Sequence, residues 1–350
     1  MPMNGFLEDL STWIELSGEA MSAAKDGLVV LQNSAAVRLL GDHRGESLSA
    51  LLPGCPEPDE GSSFAAVLTA NGTELSVRGM RRNGILLLTA VPEEVSRLSL
   101  TPETLNAMRS SLFQLQLASE RLMNAMPEKE NDLYGASLRH ASCSLQRLLE
   151  QYGDLDELQR GAMQLPMKPL DLAAVYGALT DTVRCLLDGD APAITEEYEG
   201  SCIVKGDQKR LEQVLMCLLS SSLLRTRAGG RIRIRVQRRD ERVLLTLEDD
   251  GEAIPPERLR GLFSPEEESS PDAQGTGLGL IVAWKLVQLH GGRTVIESRE
   301  GQGTKICAEL PASHALPLRD RGTNAPNMND VLKEMSAVLT HRAYRKRYTE

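Results

Sequence analysis

The stretch that most constrains this chain is "DAQGTGLGLIVAWKLVQLHGG", Asp272 to Gly292, where alternating glycines run straight into an apolar helix. Glycines let a backbone approach a ligand closely and take positive φ. A helix N-terminus just beyond them offers free N–H groups and a partial positive charge to phosphate. The spacing fits neither GxxxxGK[ST] nor GxGxxG. Taken alone, the turn is either a phosphate cradle or a tight bend.

Its neighbours narrow the choice. Upstream, "LEDDGEAIPPE" ends a strand at Asp249 and turns through Gly251; downstream lies "GQGT", Gly301 to Thr304; ahead of both runs the helical "DQKRLEQVLMCLLSSSLLRT". This order resembles the ATP-binding domain of sensor histidine kinases and their gyrase and Hsp90 relatives. That family carries an "NLLxNAxK" helix, then "DxGxGI", a lid, "GxGLGL" and "GxGT". The resemblance covers roughly residues 168–312 and implies an α/β sandwich of the Bergerat type that binds ATP. It implies that Asp249 accepts from the adenine amino group and that Gly251 lets the base lie flat against the backbone. It further implies that Thr304 meets the adenine edge and that Gly275, Gly277, Leu278 and Gly279 form the phosphate turn. Phe263 to Ala273, with Glu266, Glu267 and Glu268, would be the lid.

The chain also departs from that pattern. Cys217 and Ser221 stand where the family helix has two asparagines, the second of which binds Mg2+. Mg2+ wants near-octahedral oxygen ligands, and a serine hydroxyl is shorter than a carboxamide. Ala253 replaces the second glycine of "DxGxG", while Arg225 keeps a positive charge near the usual lysine. Nucleotide binding is therefore expected and Mg2+ chemistry is in question. His290 follows the glycine-turn helix with no acid partner in sequence and is read as structural.

A second resemblance lies upstream. Thr101-Pro102-Glu103 is a helix start, with a capping Thr, a preorganised Pro and an acid at the positive end. Leu105, Met108, Leu112, Leu115, Leu122 and Met126 form one stripe; Leu138, Ala141, Leu145, Leu148, Tyr152 and Leu155 form another. Two such helices make an antiparallel hairpin whose uncovered faces favour a second copy and a four-helix bundle. Residues 99–162 thus resemble the dimerisation and phosphoacceptor hairpin of the same kinases. There "HELRTPL" supplies the nucleophilic histidine. Here "NAMRSSL" places Asn106 at that position, Ala107 in place of the adjacent carboxylate, and Ser110 and Ser111 in place of Thr and Pro. An amide nitrogen is delocalised into its carbonyl and does not attack a γ-phosphate as neutral imidazole does. His140, on the second helix, and the Ser110 and Ser111 hydroxyls are the alternative acceptors.

Residues 1–92 read as α+β: a strand at Leu28 to Leu31, a helix ending at Gly41, a Pro/Gly loop, and a hairpin turning at Asn83-Gly84. The order loosely resembles a PAS-type sensor domain. Residues 313–350 read as a linker and one amphipathic helix carrying Val331, Leu332, Met335, Val338 and Leu339, with packing as its simplest role. A net charge of −10 argues against a nucleic-acid partner. No apolar run is long enough for membrane insertion, and no signal peptide is read at the N-terminus. The six scattered cysteines suit a reducing, cytoplasmic setting.

Three readings follow. The first is a histidine-kinase-like two-component protein that binds ATP, lacks autophosphorylation and acts as a homodimeric scaffold for a response regulator or a competent histidine kinase. The second is an active kinase with an unorthodox acceptor or one acting in trans. The third is a ligand sensor whose ATP fold is only structural.

Overall fold

The computed structural model describes residues 10–92, 102–125, 134–255, 259, 278–315 and 325–345. The chain divides into two compact units, one of residues 1–95, 252–264 and 293–307, the other of 96–251, 265–292 and 308–350.

The first unit is an antiparallel sheet with strand order β2-β1-β5-β4-β3-β11. Its strands are β1 (Ala20–Lys25), β2 (Leu28–Gln32), β3 (Ser63–Ala70), β4 (Thr73–Arg82), β5 (Ile85–Pro92) and β11 (Arg293–Arg299). Three hairpins turn through Asp26-Gly27, Asn71-Gly72 and Asn83-Gly84, each pair with both φ positive. Asp/Asn-Gly is the pair that a two-residue hairpin turn demands. Between β2 and β3 lie α1 (Ser34–Leu40) and α2 (Leu48–Leu51), capped by the side chains of Asn33 and Ser47. Leu40, Leu48, Leu51 and Leu52 meet Phe64, Leu75, Val77, Leu86 and Leu88 in the core. Phe64 sits opposite Gly79 in the β3–β4 register. A Cβ on Gly79 would fall 2.1 Å from the Phe64 ring, so the missing side chain makes room for the aromatic.

Asn33 is the polar knot of this unit. Its Nδ2 donates to the carbonyls of Ile14 (2.9 Å), Ser17 (3.4 Å) and Glu19 (2.8 Å). Its Oδ1 accepts from the backbone N–H groups of Met21 (3.0 Å) and Ala36 (2.8 Å). A buried amide so fully satisfied ties the chain before β1 to the start of α1.

The second unit begins with two long helices, α3 (Pro102–Ala125) and α4 (Ala136–Gln159). They run antiparallel: Arg109 packs on Gly153, while Gln116 and Gln146 line the same groove. β6 (Lys168–Asp171) pairs with β8 (Ile203–Gly206). β7 (Ala193–Glu199) lies parallel to β9 (Arg231–Arg239), which pairs antiparallel with β10 (Arg242–Asp249). Ile232, Ile234, Val236, Val243, Leu245 and Leu247 are fully buried, the alternation of a sheet with one covered face. Helices α5 (Leu172–Leu186), α6 (Gln208–Arg225) and α7 (Leu278–Leu289) supply the complementary apolar surface through Tyr176, Leu179, Leu211, Leu215, Leu219, Val282 and Leu286. Asp171 and Asp207 cap α5 and α6. β12 (Gly303–Pro311) follows β11 in sequence.

The tail departs from the single helix its apolar pattern suggests. α8 spans only Met328–Glu334, followed by 3-10 turns at Met335–Ala337 and His341–Tyr344. A period near three satisfies both geometries, so the stripe survives the change of helix type. Val331, Met335, Leu339 and Tyr344 are buried, and the segment packs on α4 and α6.

Candidate functional site

Asp249 ends β10, Gly251 follows it, and Ser221, Ser222 and Arg225 occupy the last turn of α6. These five residues come together. The Asp249 side chain has 0% exposure and its oxygens are fully engaged. Oδ1 accepts from the Gly251 N–H at 3.2 Å, and Oδ2 accepts from the Ser222 hydroxyl at 2.6 Å and from Arg225 Nη2 at 2.9 Å. Arg225 Nη1 donates to Ser221 Oγ at 2.5 Å. One guanidinium therefore bridges the Ser221 and Asp249 positions. Burial is the largest influence on it and pulls its pKa below the usual value, against the pull of Asp249.

Gly251 has a local reason to be glycine. A Cβ there would stand 2.7 Å from the Arg225 carbonyl oxygen and 2.9 Å from the Thr226 nitrogen. The strand end therefore rests on the backbone of the α6 C-terminus, which sets Asp249 beside Ser222 and Arg225. Ser222 is the site residue that reading the sequence missed. It lies three residues before Arg225 on the same helical face, so the spacing carried the signal.

Gly279 sits in the first turn of α7 against Cys217, whose Sγ would be 3.5 Å from an added Cβ, and against Gln151 Nε2 at the same distance. Leu278 is buried. Gly275 and Gly277, with the expected lid from Phe263 to Ala273, lie outside the described residues. Cys217 is buried, and desolvation pushes its thiol pKa well up, so it packs as a small apolar group. Ala253 and Thr304 belong to the first unit. There the Thr304 hydroxyl is buried 3.0 Å from Ser298 Oγ, which accepts from the Ile254 N–H at 2.8 Å.

His290 is buried, with Nδ1 donating to the Leu286 carbonyl at 2.7 Å and Nε2 accepting from the Asp207 N–H at 3.1 Å. Burial lowers its pKa, so a neutral ring joins the end of α7 to the cap of α6.

On the hairpin, Asn106, Arg109, Ser110 and Ser111 are exposed on α3. His140 on α4 is half-buried: Nε2 donates to the Ser336 carbonyl at 2.8 Å, and the ring packs against His341 and Tyr344 at 4.8 and 5.0 Å. α4 is fastened to α6 by Asp154, which takes Arg210 Nη1 at 2.9 Å and Gln213 Nε2 at 2.8 Å.

A buried carboxylate acceptor suits an adenine amino group, and here both oxygens of Asp249 already accept hydrogen bonds from within the site. Mg2+ does not fit the residues present: Ser221 offers one hydroxyl oxygen, and a guanidinium occupies it. No cluster of three metal-ligating side chains occurs among the described residues.

Residues 206–314 match the family described as histidine kinase-, DNA gyrase B- and HSP90-like ATPases, so this part of the chain is a domain of that class. The alginate biosynthesis sensor protein KinB of Pseudomonas aeruginosa is 31% identical over 217 residues, 60% of this chain and 35% of that protein. The sensor protein DivL of Caulobacter vibrioides is 28% identical over 309 residues, 87% of this chain and 38% of that protein. The full-length ShkA structure in complex with AMPPNP superposes with a TM-score of 0.53 at 24% identity, over 63% of this chain and 48% of that one, a likeness of fold. Over the spans matched, the chain is similar to sensor proteins of the histidine kinase type. It spans about a third of the length of these two curated relatives.

Proposed function

We propose that this chain is a two-component signalling protein that binds adenine nucleotide, does not phosphorylate itself, and works as a dimeric scaffold. The observation that carries the reading is the face of α3 around Asn106. It presents an amide, Ala107, Ser110 and Ser111, and α3 contains no histidine. Without an imidazole nucleophile and with Ala107 in the place of a neighbouring base, the phosphoryl acceptor of the family is missing. The pairing of Ser221 with Arg225 supports the same reading from the nucleotide side, because the hydroxyl at the Mg2+ position already meets a guanidinium. ATP binding rests on the family of residues 206–314 and on the buried acceptor Asp249.

His140 is a poor substitute acceptor, since its Nε2 and both ring neighbours belong to the packed tail. Residues 1–92 suit a PAS-type sensor through the order β2-β1-β5-β4-β3 with two short helices between β2 and β3. Residues 99–162 then serve as the dimerisation hairpin, 168–312 as the nucleotide domain and 313–350 as linker and tail. Met108, Leu115, Leu138 and Leu145 of the two hairpin stripes are exposed, with Leu115 at 63%, the apolar faces that a second copy would cover. A groove of about 200 Å³ lined by Arg109, Phe113, Gln116, Gln146 and Glu150 offers a docking place on the same hairpin for a response regulator or a competent kinase. The setting proposed is cytoplasmic.

Replacing Asp249 with Asn tests the nucleotide part of the reading. ATP should raise the melting temperature of the wild-type protein and leave Asp249→Asn unmoved. A wild-type protein indifferent to ATP would favour the purely structural ATP fold.

A further inference from the structure

The end of α6 carries an arginine whose side chain turns inward rather than toward solvent. The Arg225 guanidinium is only 18% exposed and spends its two terminal nitrogens on Ser221 and Asp249. Its Nε is buried with no hydrogen-bond partner. An arginine free to choose would keep its head in water. Here desolvation is offset by the pairing with Asp249 and the hydrogen bond to Ser221. Ser222 reinforces the arrangement, because its hydroxyl holds Oδ2 of Asp249 at 2.6 Å, beside the guanidinium.

We propose that Arg225 is an internal occupant of the adenine end of the nucleotide site, and that nucleotide binds only when the Arg225–Asp249 pair opens. The proposal rests on the nucleotide reading of Asp249 given above. A carboxylate pairs more strongly with a guanidinium than with a neutral amino group. The adenine amine therefore competes for Oδ2 at a disadvantage, and the binding-competent state is the minor one. Apparent affinity falls by the fraction of molecules in that state. Among the described residues, Oδ1 is turned to the Gly251 N–H, and the Ser221 oxygen faces the same guanidinium. Opening moves the guanidinium away from both oxygens at once, so the Asp249 and Ser221 positions are freed together.

The test uses the full chain, titrated calorimetrically with ADP in the presence of a chelator, so that no metal contributes. Arg225→Gln keeps much of the side-chain length and removes the charge; Arg225→Ala removes both and guards against an accident of one variant. Both should bind ADP about tenfold tighter than wild type, the discrimination expected for one charge-assisted hydrogen bond. Both should also melt lower without ligand and show a larger rise in melting temperature with ADP. Equal or weaker binding by the variants overturns the proposal while leaving the nucleotide reading intact, and weaker binding would mark Arg225 as a direct nucleotide contact. If neither wild type nor variants bind ADP, or if adding Asp249→Asn to Arg225→Gln leaves binding unchanged, the nucleotide reading of Asp249 fails and the proposal with it.

Discussion

Glu334 at the end of α8 is a carboxyl group placed where its charge is costly. It is 4% exposed, between α4 and α6. Gln151 Nε2 stands 3.3 Å and Gln213 Nε2 3.5 Å from its oxygens. Burial is the main cause that raises its pKa from 4.5 to about 7; Glu150 and Asp154 add to the rise, while Lys333 and the Gln151 hydrogen bond oppose it. Cys217 and the Arg210–Asp154 pair complete the surroundings from α6 and α4. Gln151 Oε1 is a buried acceptor without a partner, and turning over that amide would let a protonated Glu334 donate to it. An acid whose pKa is raised on folding binds its proton more tightly in the folded state. It therefore costs nothing below about pH 4.5, and stability is lost as pH climbs toward 7 and stays lost above it. A pKa moved from 4.5 to about 7 sets the full cost near 3 kcal/mol, at roughly 1.4 kcal/mol for each tenfold change in proton affinity. Between pH 5 and pH 8 the wild-type protein should lose about 2–3 kcal/mol that Glu334→Gln does not lose. Urea unfolding of both proteins at the two pH values, followed by hydrogen exchange in α8, measures the difference. A wild-type-to-variant gap of the same size at both pH values would refute the reasoning.

Other substitutions probe the packing that positions the site. Gly251→Ala should destabilise by about 1–3 kcal/mol, because its methyl group meets backbone that cannot step aside, and thermal unfolding would show it. Asn33→Ala, which orphans buried carbonyls and N–H groups around β1 and α1, should cost about 2–3 kcal/mol in chemical denaturation. Tyr344→Ala should cost roughly 3–5 kcal/mol and speed modification of His140 by diethyl pyrocarbonate relative to wild type; equal modification rates would show that the tail does not shield the ring.

Much of this arrangement was written locally in the chain. The proline that opens the helix over Pro102–Ala125, the hairpin at Asn83-Gly84 and the strand that ends at Asp249 rest on short-range signals. Asn71-Gly72 and Asp26-Gly27 carry the same hairpin signal between less regular flanks. "AITEEYEGSCIVKGD" reads as two short strands, yet β7 joins β9 in parallel and β8 joins β6. Such partners lie far apart in sequence, and periodicity says nothing of them. The site divides along the same line. Asp249 and Gly251 stand in a motif, whereas the capture of Asp249 by Arg225 and Ser222 depends on how the α6 end meets a strand that follows it. The burial of Glu334 is of the second kind, since its partner on α4, Gln151, is 183 residues away in the chain.

The central claim, nucleotide binding without self-phosphorylation, is tested most directly by incubating the full chain with γ-labelled ATP and Mg2+, then treating any labelled protein with acid and with base. The expected result is no covalent label in a sample whose melting temperature ATP has raised. An acid-labile, base-stable label would contradict the account and point to His140, and an acid-stable label would contradict it by pointing to Ser110 or Ser111.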